Sequence, residues 1–83
     1  MTYHVVWAEP AIDTAAGYLS DDAEGLSTVM DRIDDLAIEP TPKESSGLGS
    51  SGLRRLHVGR YRVLYEIDEE EQGLTIIHIG RLG

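Results

Sequence analysis

The basic residues that could act on an anion are concentrated in the last third of the chain. Five of the seven Lys and Arg residues are arginines in that segment: Arg54, Arg55, Arg60, Arg62 and Arg81. Two of the three histidines, His57 and His78, lie there as well. Guanidinium groups stabilise charge on a phosphate while a base and an acid move protons, and RNA supplies its own nucleophile in the 2′-hydroxyl. These residue types predict metal-independent phosphoryl transfer as a candidate chemistry, with no cofactor.

Motifs for the commoner chemistries are absent from the sequence. It has no glycine-rich phosphate loop, no His-Glu-x-x-His zinc motif and no Gly-x-Ser-x-Gly nucleophile motif. It has no cysteine, which removes disulfides and thiolate metal sites and fits a reducing compartment. No apolar run approaches the roughly 18 residues that cross a membrane, so we expect a cytoplasmic protein that contacts no membrane.

The charge is divided unevenly along the chain, whose formal net charge is −8. Residues 1–50 hold ten acidic and two basic residues, whereas residues 51–83 hold five of each. Because nucleic-acid binding draws its affinity from clustered Lys and Arg, the average charge argues against generic nucleic-acid binding. Residues 51–83 are therefore the one region whose clustered arginines could bind an anion.

The first half of the chain predicts one strand and two helices. Residues 2–7 are β-branched and aromatic and predict a strand. Apolar residues then recur at three- and four-residue spacing and predict a short helix with the face Ala11, Ile12, Ala15, Ala16 and Leu19. Asp21 and Glu24 have the spacing of a capping box and predict the start of a second helix. Its apolar stripe comprises Leu26, Val29, Met30, Ile33, Leu36 and Ala37.

The second half predicts a loop and three strands. Residues 41–52 are rich in glycine and serine and are predicted to form a loop without strands. The apolar period then changes to two, and three runs predict consecutive antiparallel strands: Leu53–Val58, Tyr61–Asp68 and Leu74–Ile79. Arg62 is expected on the opposite face from the apolar residues of the middle strand, Tyr61, Val63, Tyr65 and Ile67.

These elements predict an α+β fold. An N-terminal strand is followed by a helical hairpin and then by a three-stranded antiparallel meander, which forms a twisted sheet with the hairpin over one face. Residues 1–83 are expected to form a single domain, because a chain of 83 residues leaves no room for a second core.

The segment from Leu53 to Asp68, with Ile76 to Arg81, resembles the C-terminal half of RelE-type toxins of bacterial toxin–antitoxin pairs. In that family a Gly-x-Tyr-Arg-Val-x-Tyr strand precedes an apolar strand that ends in a basic residue. The corresponding residues here run Gly59-Arg60-Tyr61-Arg62-Val63-Leu64-Tyr65. The resemblance covers the residues from 53 onward closely, and the helical hairpin agrees with it in layout.

This resemblance to RelE/ParE toxins implies a toxin that cleaves messenger RNA in the ribosomal A site and is silenced by a cognate antitoxin. Arg62 and Arg81 would stabilise the phosphate transition state, and His57 or His78 would be the candidate base. The arginines that would hold RNA are Arg54, Arg55 and Arg60. The implied partners are the antitoxin, the ribosome and messenger RNA, with no metal.

A non-catalytic reading from the same resemblance stays open. ParE-like toxins share the fold and poison DNA gyrase, and a degenerate toxin would bind only its antitoxin or itself, for example as a homodimer through an edge strand. The acidic balance favours this reading. Single residues also have ordinary explanations: Arg54 and Arg55 are neighbours in a strand and face opposite ways, so only one can join any single site.

Overall fold

The computed structural model describes residues 2–49 and 52–83, which form a sheet with two helices on one side. The elements in chain order are β1 (His4–Trp7), α1 (Glu9–Asp21), α2 (Ala23–Leu36), β2 (Ser45–Gly47), β3 (Leu53–Val58), β4 (Tyr61–Asp68) and β5 (Gly73–Arg81). The α+β prediction is confirmed, and the predicted bounds of β3 and β4 agree with the structure.

The five strands form one sheet in the order β1-β5-β4-β3-β2. Strands β3, β4 and β5 form the predicted antiparallel meander. Strand β1 lies beside β5 and runs parallel to it, with His4 opposite Gly73 and Trp7 opposite Ile76. The sheet is therefore mixed: β1 and β5 are parallel, and the other neighbouring strands are antiparallel. The two-helix connection carries the chain from β1 at one edge to β2 at the other.

Strand β2 corrects one prediction. Residues 41–52 were expected to form a loop without strands, but Ser45–Gly47 pair antiparallel with β3. The glycine and serine composition hides this strand, since its pairing depends on the backbone of β3 and not on apolar alternation. Ser50 and Ser51 of the predicted loop lie outside the described residues.

The two helices pack over β5 and β3 and are separated by a single residue, Asp22. The Asp22 side chain accepts a hydrogen bond from the Gly25 N–H at 3.1 Å and so caps α2. The predicted cap at Asp21 is therefore wrong by one position, because α1 continues through Asp21. No helix within the described residues is long and apolar enough to cross a membrane.

The core lies between the helices and the covered side of the sheet. Its largest fully buried side chains are Tyr65, Leu26, Ile33, Leu36, Leu56, Leu74, Ile76, Ile79, Val29 and Val63. The predicted apolar face of β4 is thus confirmed. The hydroxyl group of the buried Tyr65 donates a hydrogen bond to the Pro40 carbonyl at 2.6 Å, so its polar atom has a partner.

The predicted helix faces are only partly buried. Ala11 and Ala15 of α1 pack in the core, but Ile12 and Leu19 remain 50% and 51% exposed. Met30 of α2 is 38% exposed. The small alanines are the residues of α1 that approach the sheet, so the larger side chains of the predicted face are left at the outer surface between the helices.

Candidate functional site

The side of the sheet that faces away from the helices, named here the open face, carries four basic side chains. Arg55 and His57 of β3 are exposed, and the buried Leu56 lies between them. Across the strands, Arg55 pairs with Leu64, while His57 pairs with Arg62. Arg62 therefore lies on the open face, as the alternation of β4 predicts.

His78 reaches the open face because β5 contains a β-bulge. Leu64 pairs with His78, but the next residue of β4 pairs with Ile76, so that Ile77 is left as the extra residue. The bulge shifts the alternation by one position: Ile76 and Ile79 are both fully buried, and His78 between them is exposed. Without the bulge, residues 76 and 78 would lie on the same face.

The register aligns the basic side chains of the open face in two neighbouring rows. Arg55, Leu64 and His78 form one row, and His57 and Arg62 belong to the next. Neighbouring strands lie about 4.8 Å apart, so two guanidinium groups and two imidazoles are within reach of one extended anion. This is the part of the molecule where the predicted phosphate chemistry could occur.

Arg62 is partly restrained by its own hairpin. Its Nη1 donates to the carbonyl oxygens of Gly59 at 2.9 Å and Tyr61 at 2.8 Å. An arginine has five N–H donors, so these two bonds leave other donors available for a ligand. The β3–β4 turn thus orients the Arg62 guanidinium without neutralising it.

On the opposite side, the covered face, Asp22 joins the helices to the sheet. Its carboxylate accepts hydrogen bonds from the Tyr61 hydroxyl at 2.8 Å and the Gly25 N–H at 3.1 Å, and lies 3.4 Å from Arg60 Nη2. The Tyr61 hydroxyl, followed by the Gly25 N–H and Arg60, lowers the pKa of Asp22 below its ordinary value. Asp22 is therefore an anchor that holds the β3–β4 turn under the helical junction.

Arg81 lies in the same cluster and not on the open face. Its Nη1 contacts Asp21 Oδ2 at 2.6 Å, and its guanidinium carbon lies 4.6 Å from the centroid of the Tyr18 ring. The Tyr18 and Tyr61 rings meet edge to face at 5.5 Å. Tyr61 and Asp21 raise the pKa of Arg81. The guanidinium is thus held by a carboxylate and an aromatic face, a common structural role for arginine.

A cleft of about 770 Å³ lies at the other end of the sheet, near the β4–β5 turn. Arg54 lines it, but its Nε and Nη2 donate to Ser45 Oγ at 3.0 and 2.8 Å and so tie β3 to β2. Tyr3 donates to Glu69, and this hydrogen bond is the main reason that the pKa of Tyr3 is raised. Arg54, the one basic side chain among the described residues that line this cleft, is thus already used to join two strands.

A groove between the two helices is almost purely apolar. It has a volume of about 380 Å³ and is lined by Trp7, Ile12, Ala15, Ala16, Leu19, Leu26 and Met30. Three of these side chains, those of Ile12, Leu19 and Met30, are more than a third exposed. Contiguous exposed apolar side chains of this kind mark interaction surfaces.

A family model described as the ParE toxin of type II toxin-antitoxin systems, parDE, matches residues 10–82. The chain belongs to the ParE toxin family. The match includes α1 from its second residue, all of α2, the basic segment and Arg81. No curated protein matches the sequence significantly.

Solved toxin structures are similar to this ParE-family chain over almost its whole length. A chain of the archaeal RelE-RelB complex from Pyrococcus horikoshii is 25% identical, with a TM-score of 0.85, and the match covers 100% of this chain and 98% of that one. A chain of the toxin-antitoxin complex RelBE2 from Mycobacterium tuberculosis is 24% identical, with a TM-score of 0.82, and the match covers 99% of this chain and 100% of that one. A YoeB/ParE toxin from Agrobacterium tumefaciens is 18% identical, with a TM-score of 0.81, and the match covers 96% of this chain and 99% of that one. The resemblance to the RelE/ParE superfamily is confirmed.

The structure of this ParE-family toxin separates the residues that the sequence grouped together. Arg62 lies on the open face and Arg81 on the covered face, so the two do not converge on one point. Of the three arginines predicted to hold RNA, Arg55 is exposed on the open face, while Arg54 bonds to β2 and Arg60 to the helical junction. The open face does unite the two candidate bases with Arg55 and Arg62.

Sequence reasoning did not find the acidic junction of the ParE-family chain. Asp21, the last residue of α1, bonds to Arg81, and Asp22, the residue between the helices, bonds to Arg60; both arginines are distant in sequence. The capping spacing did indicate a helix boundary here. The pair of adjacent acidic residues was a second signal. Only one of the two carboxylates can cap α2, which leaves the other carboxylate free to bind a basic partner.

Proposed function

We propose that this chain is a toxin that acts by binding a protein target, DNA gyrase, and that a cognate antitoxin neutralises it in the cytoplasm. Residues 1–83 would act as one toxin domain. Gyrase is the target that similarity to ParE-like toxins implies, and the family match over residues 10–82 supports that choice over the ribosome. The action requires binding and no cleavage chemistry by the toxin itself.

The observation that carries this proposal is the position of Arg81. A nuclease needs its cations around one phosphate, where charge develops in the transition state. Arg81 instead contacts Asp21 at 2.6 Å on the covered face, and Arg60 lies 3.4 Å from Asp22. Two of the five arginines of the last third therefore have carboxylate partners within the molecule.

The net charge of −8 supports the same conclusion. Cationic side chains supply most of the affinity for nucleic-acid phosphates, and ribosomal RNA presents a dense array of them. Both helices of this chain carry one basic residue in total, Arg32, which pairs with Asp35 at 3.3 Å. A protein target places no such demand on the whole surface.

An antitoxin partner is supported by the structures with the same fold. The P. horikoshii RelE-RelB and M. tuberculosis RelBE2 structures are toxin–antitoxin complexes. The apolar groove between α1 and α2 is the surface of this chain that would gain most from being covered, because it exposes Ile12, Leu19 and Met30.

Ribosome-dependent cleavage of messenger RNA is the second candidate function. The observation in its favour is the open face, where Arg55, His57, Arg62 and His78 occupy two neighbouring rows. In this mechanism Arg62 would stabilise the phosphate charge, and one histidine would remove the 2′-hydroxyl proton. It requires no metal and no contribution from Arg81.

Two assays on the same variants separate these functions. Wild type and Arg62→Ala are expressed in cells with primer extension on a translated reporter message, and the purified proteins are added to gyrase supercoiling reactions. We expect the wild type to inhibit supercoiling and leave the message intact. Codon-phased cleavage by the wild type but not by Arg62→Ala would instead establish the ribonuclease. Growth inhibition with neither effect would overturn both functions.

A further inference from the structure

The groove between α1 and α2 has an acidic border on both sides. On α1, Glu9 precedes Ile12 by three positions and Asp13 precedes Ala16 by three. Residues three apart on a helix are neighbours on its surface, so these carboxylates flank the groove residues. Both acidic side chains are exposed.

The α2 side of the groove is acidic as well. Asp34 follows Met30 by one helical turn. Asp31 is three positions before Asp34 and lies beside it on the outer side of the helix. Within the described residues, neither Asp31 nor Asp34 has an ion-pair partner, and the same is true of the two acids on α1. The one basic residue of the two helices, Arg32, is engaged by Asp35.

From this we infer that the groove is specific for a basic amphipathic helix of the antitoxin, with an apolar stripe flanked by lysines and arginines. The inference rests on the proposed toxin–antitoxin function and adds the charge of the partner segment. The exposed lining residues Ile12, Ala16 and Leu19 are spaced as one helical stripe, which suits a partner with apolar anchors on successive turns. Carboxylates on both borders then select positive flanking side chains.

The charges of this chain also decide against one other occupant of the groove and against one other surface for the basic helix. A second copy of the chain would bring an acidic border against an acidic border, which is unfavourable. A basic segment would also be steered away from the open face, because Arg55 and Arg62 lie there. The basic helix is thus directed to the hairpin side of the molecule.

Three synthetic peptides test this charge selection. They share one leucine stripe in a helix of about 14 residues and carry lysine, glutamine or glutamate at the flanking positions. They contain no tryptophan, so Trp7, which lines the groove and is the only tryptophan of the chain, reports binding through its fluorescence. We expect the lysine peptide to bind on the order of tenfold more tightly than the glutamine peptide at low salt.

Two further comparisons identify the border as the cause. The lysine preference should disappear at about 1 M salt, where the Debye length is about 3 Å. It should also fall in the variant Glu9→Gln/Asp13→Asn. It should persist in Glu70→Gln/Glu71→Gln, which removes the same charge from the distant β4–β5 turn.

Some outcomes of these experiments would contradict this inference without contradicting the proposed function. Equal binding of the lysine and glutamine peptides to the wild type would overturn charge selection, while the gyrase and growth assays would be unaffected. If Leu19→Ser left the binding of the lysine peptide unchanged, the groove would not be the docking surface. A concentration-dependent dimer that shields Trp7 in the free protein would also overturn the inference in favour of a second copy.

Discussion

The two faces of the sheet use the same residue type in opposite ways. On the covered face, Arg81 contacts Asp21 and the Tyr18 ring, and its neighbour Arg60 contacts Asp22. On the open face, Arg55 and Arg62 have no carboxylate partner within the described residues. The covered arginines fasten secondary-structure elements together, whereas the open ones remain available to a ligand.

This difference shows that arginine content alone does not predict a phosphate site. Strand alternation decides which face each arginine reaches, and the helical junction supplies carboxylates to one face only. Of the five arginines of the last third, those that bond across elements are expected to affect stability. Those of the open face are expected to affect activity.

The largest contrast between the faces is expected from two adjacent residues of β4. Tyr65 is fully buried on the covered face, and its hydroxyl donates to the Pro40 carbonyl. Tyr65→Ala should lower the free energy of unfolding by about 3–5 kcal/mol. Leu64→Ala on the open face should lower it by less than about 1.5 kcal/mol. Urea denaturation measures both, and equal losses would contradict the assignment of the two faces.

The second contrast is between the two carboxylates of the junction. Asp22→Ala removes the cap of α2 and the acceptor of the Tyr61 hydroxyl, and we expect the melting temperature to fall by about 5 °C. Asp21→Ala removes only the pair with Arg81, and a fall of about 1–2 °C is expected because Asp21 is 63% exposed. Calorimetry compares the variants; a larger effect at Asp21 would reverse the ranking.

Acid should act on the covered face through Asp22. The Tyr61 hydroxyl, the Gly25 N–H and Arg60 lower the pKa of Asp22 below its ordinary value of 3.8. A carboxyl group whose pKa is lowered by folding stabilises the protein above its unfolded pKa, and this contribution is lost as the pH falls through the folded pKa. Below about pH 4, stability should therefore fall more steeply in the wild type than in Asp22→Asn. Parallel urea midpoints against pH would disprove this role.

The smallest effect on stability is expected on the open face. Arg55→Ala and Arg62→Ala should change the free energy of unfolding by no more than about 0.5 kcal/mol each, because neither side chain has an ion pair to another element in the part of the chain that the structure describes. Growth inhibition measured beside stability completes the comparison. Lost toxicity with retained stability would place function on the open face, whereas unchanged toxicity in the double variant would remove the open face from the mechanism.

The parts of this fold that follow local rules were predictable from the sequence. Strands β3 and β4 have the predicted bounds, and Tyr61, Val63 and Tyr65 are buried as their alternation indicates. Each depends on side chains that alternate between a core and a surface. The helices were also predictable as elements, because their apolar residues recur at helical spacing.

The features that were not predictable depend on contacts between distant segments. The bulge at Ile77 turns His78 to the open face, and no local pattern of β5 reveals it. Strand β2 depends on the backbone of β3, and the parallel pairing of β1 with β5 depends on the path of both helices. The position of Arg81 against Asp21 combines two such choices. The residue types of the site and the face of Arg62 were therefore accessible from sequence, but the positions of His78 and Arg81 were not.

The parallel pairing of β1 with β5 has a consequence during synthesis of the protein. His4 pairs with Gly73 and Trp7 with Ile76, so the strand made first waits for a partner that is made near the end of the described chain. Helices and hairpins form from local contacts, but this closing contact spans almost the whole sequence. A ribosome-bound nascent chain would hold an unfinished sheet until β5 emerges. The sheet of the toxin would therefore be completed only after β5 has emerged from the ribosome, when an antitoxin can first bind the finished fold.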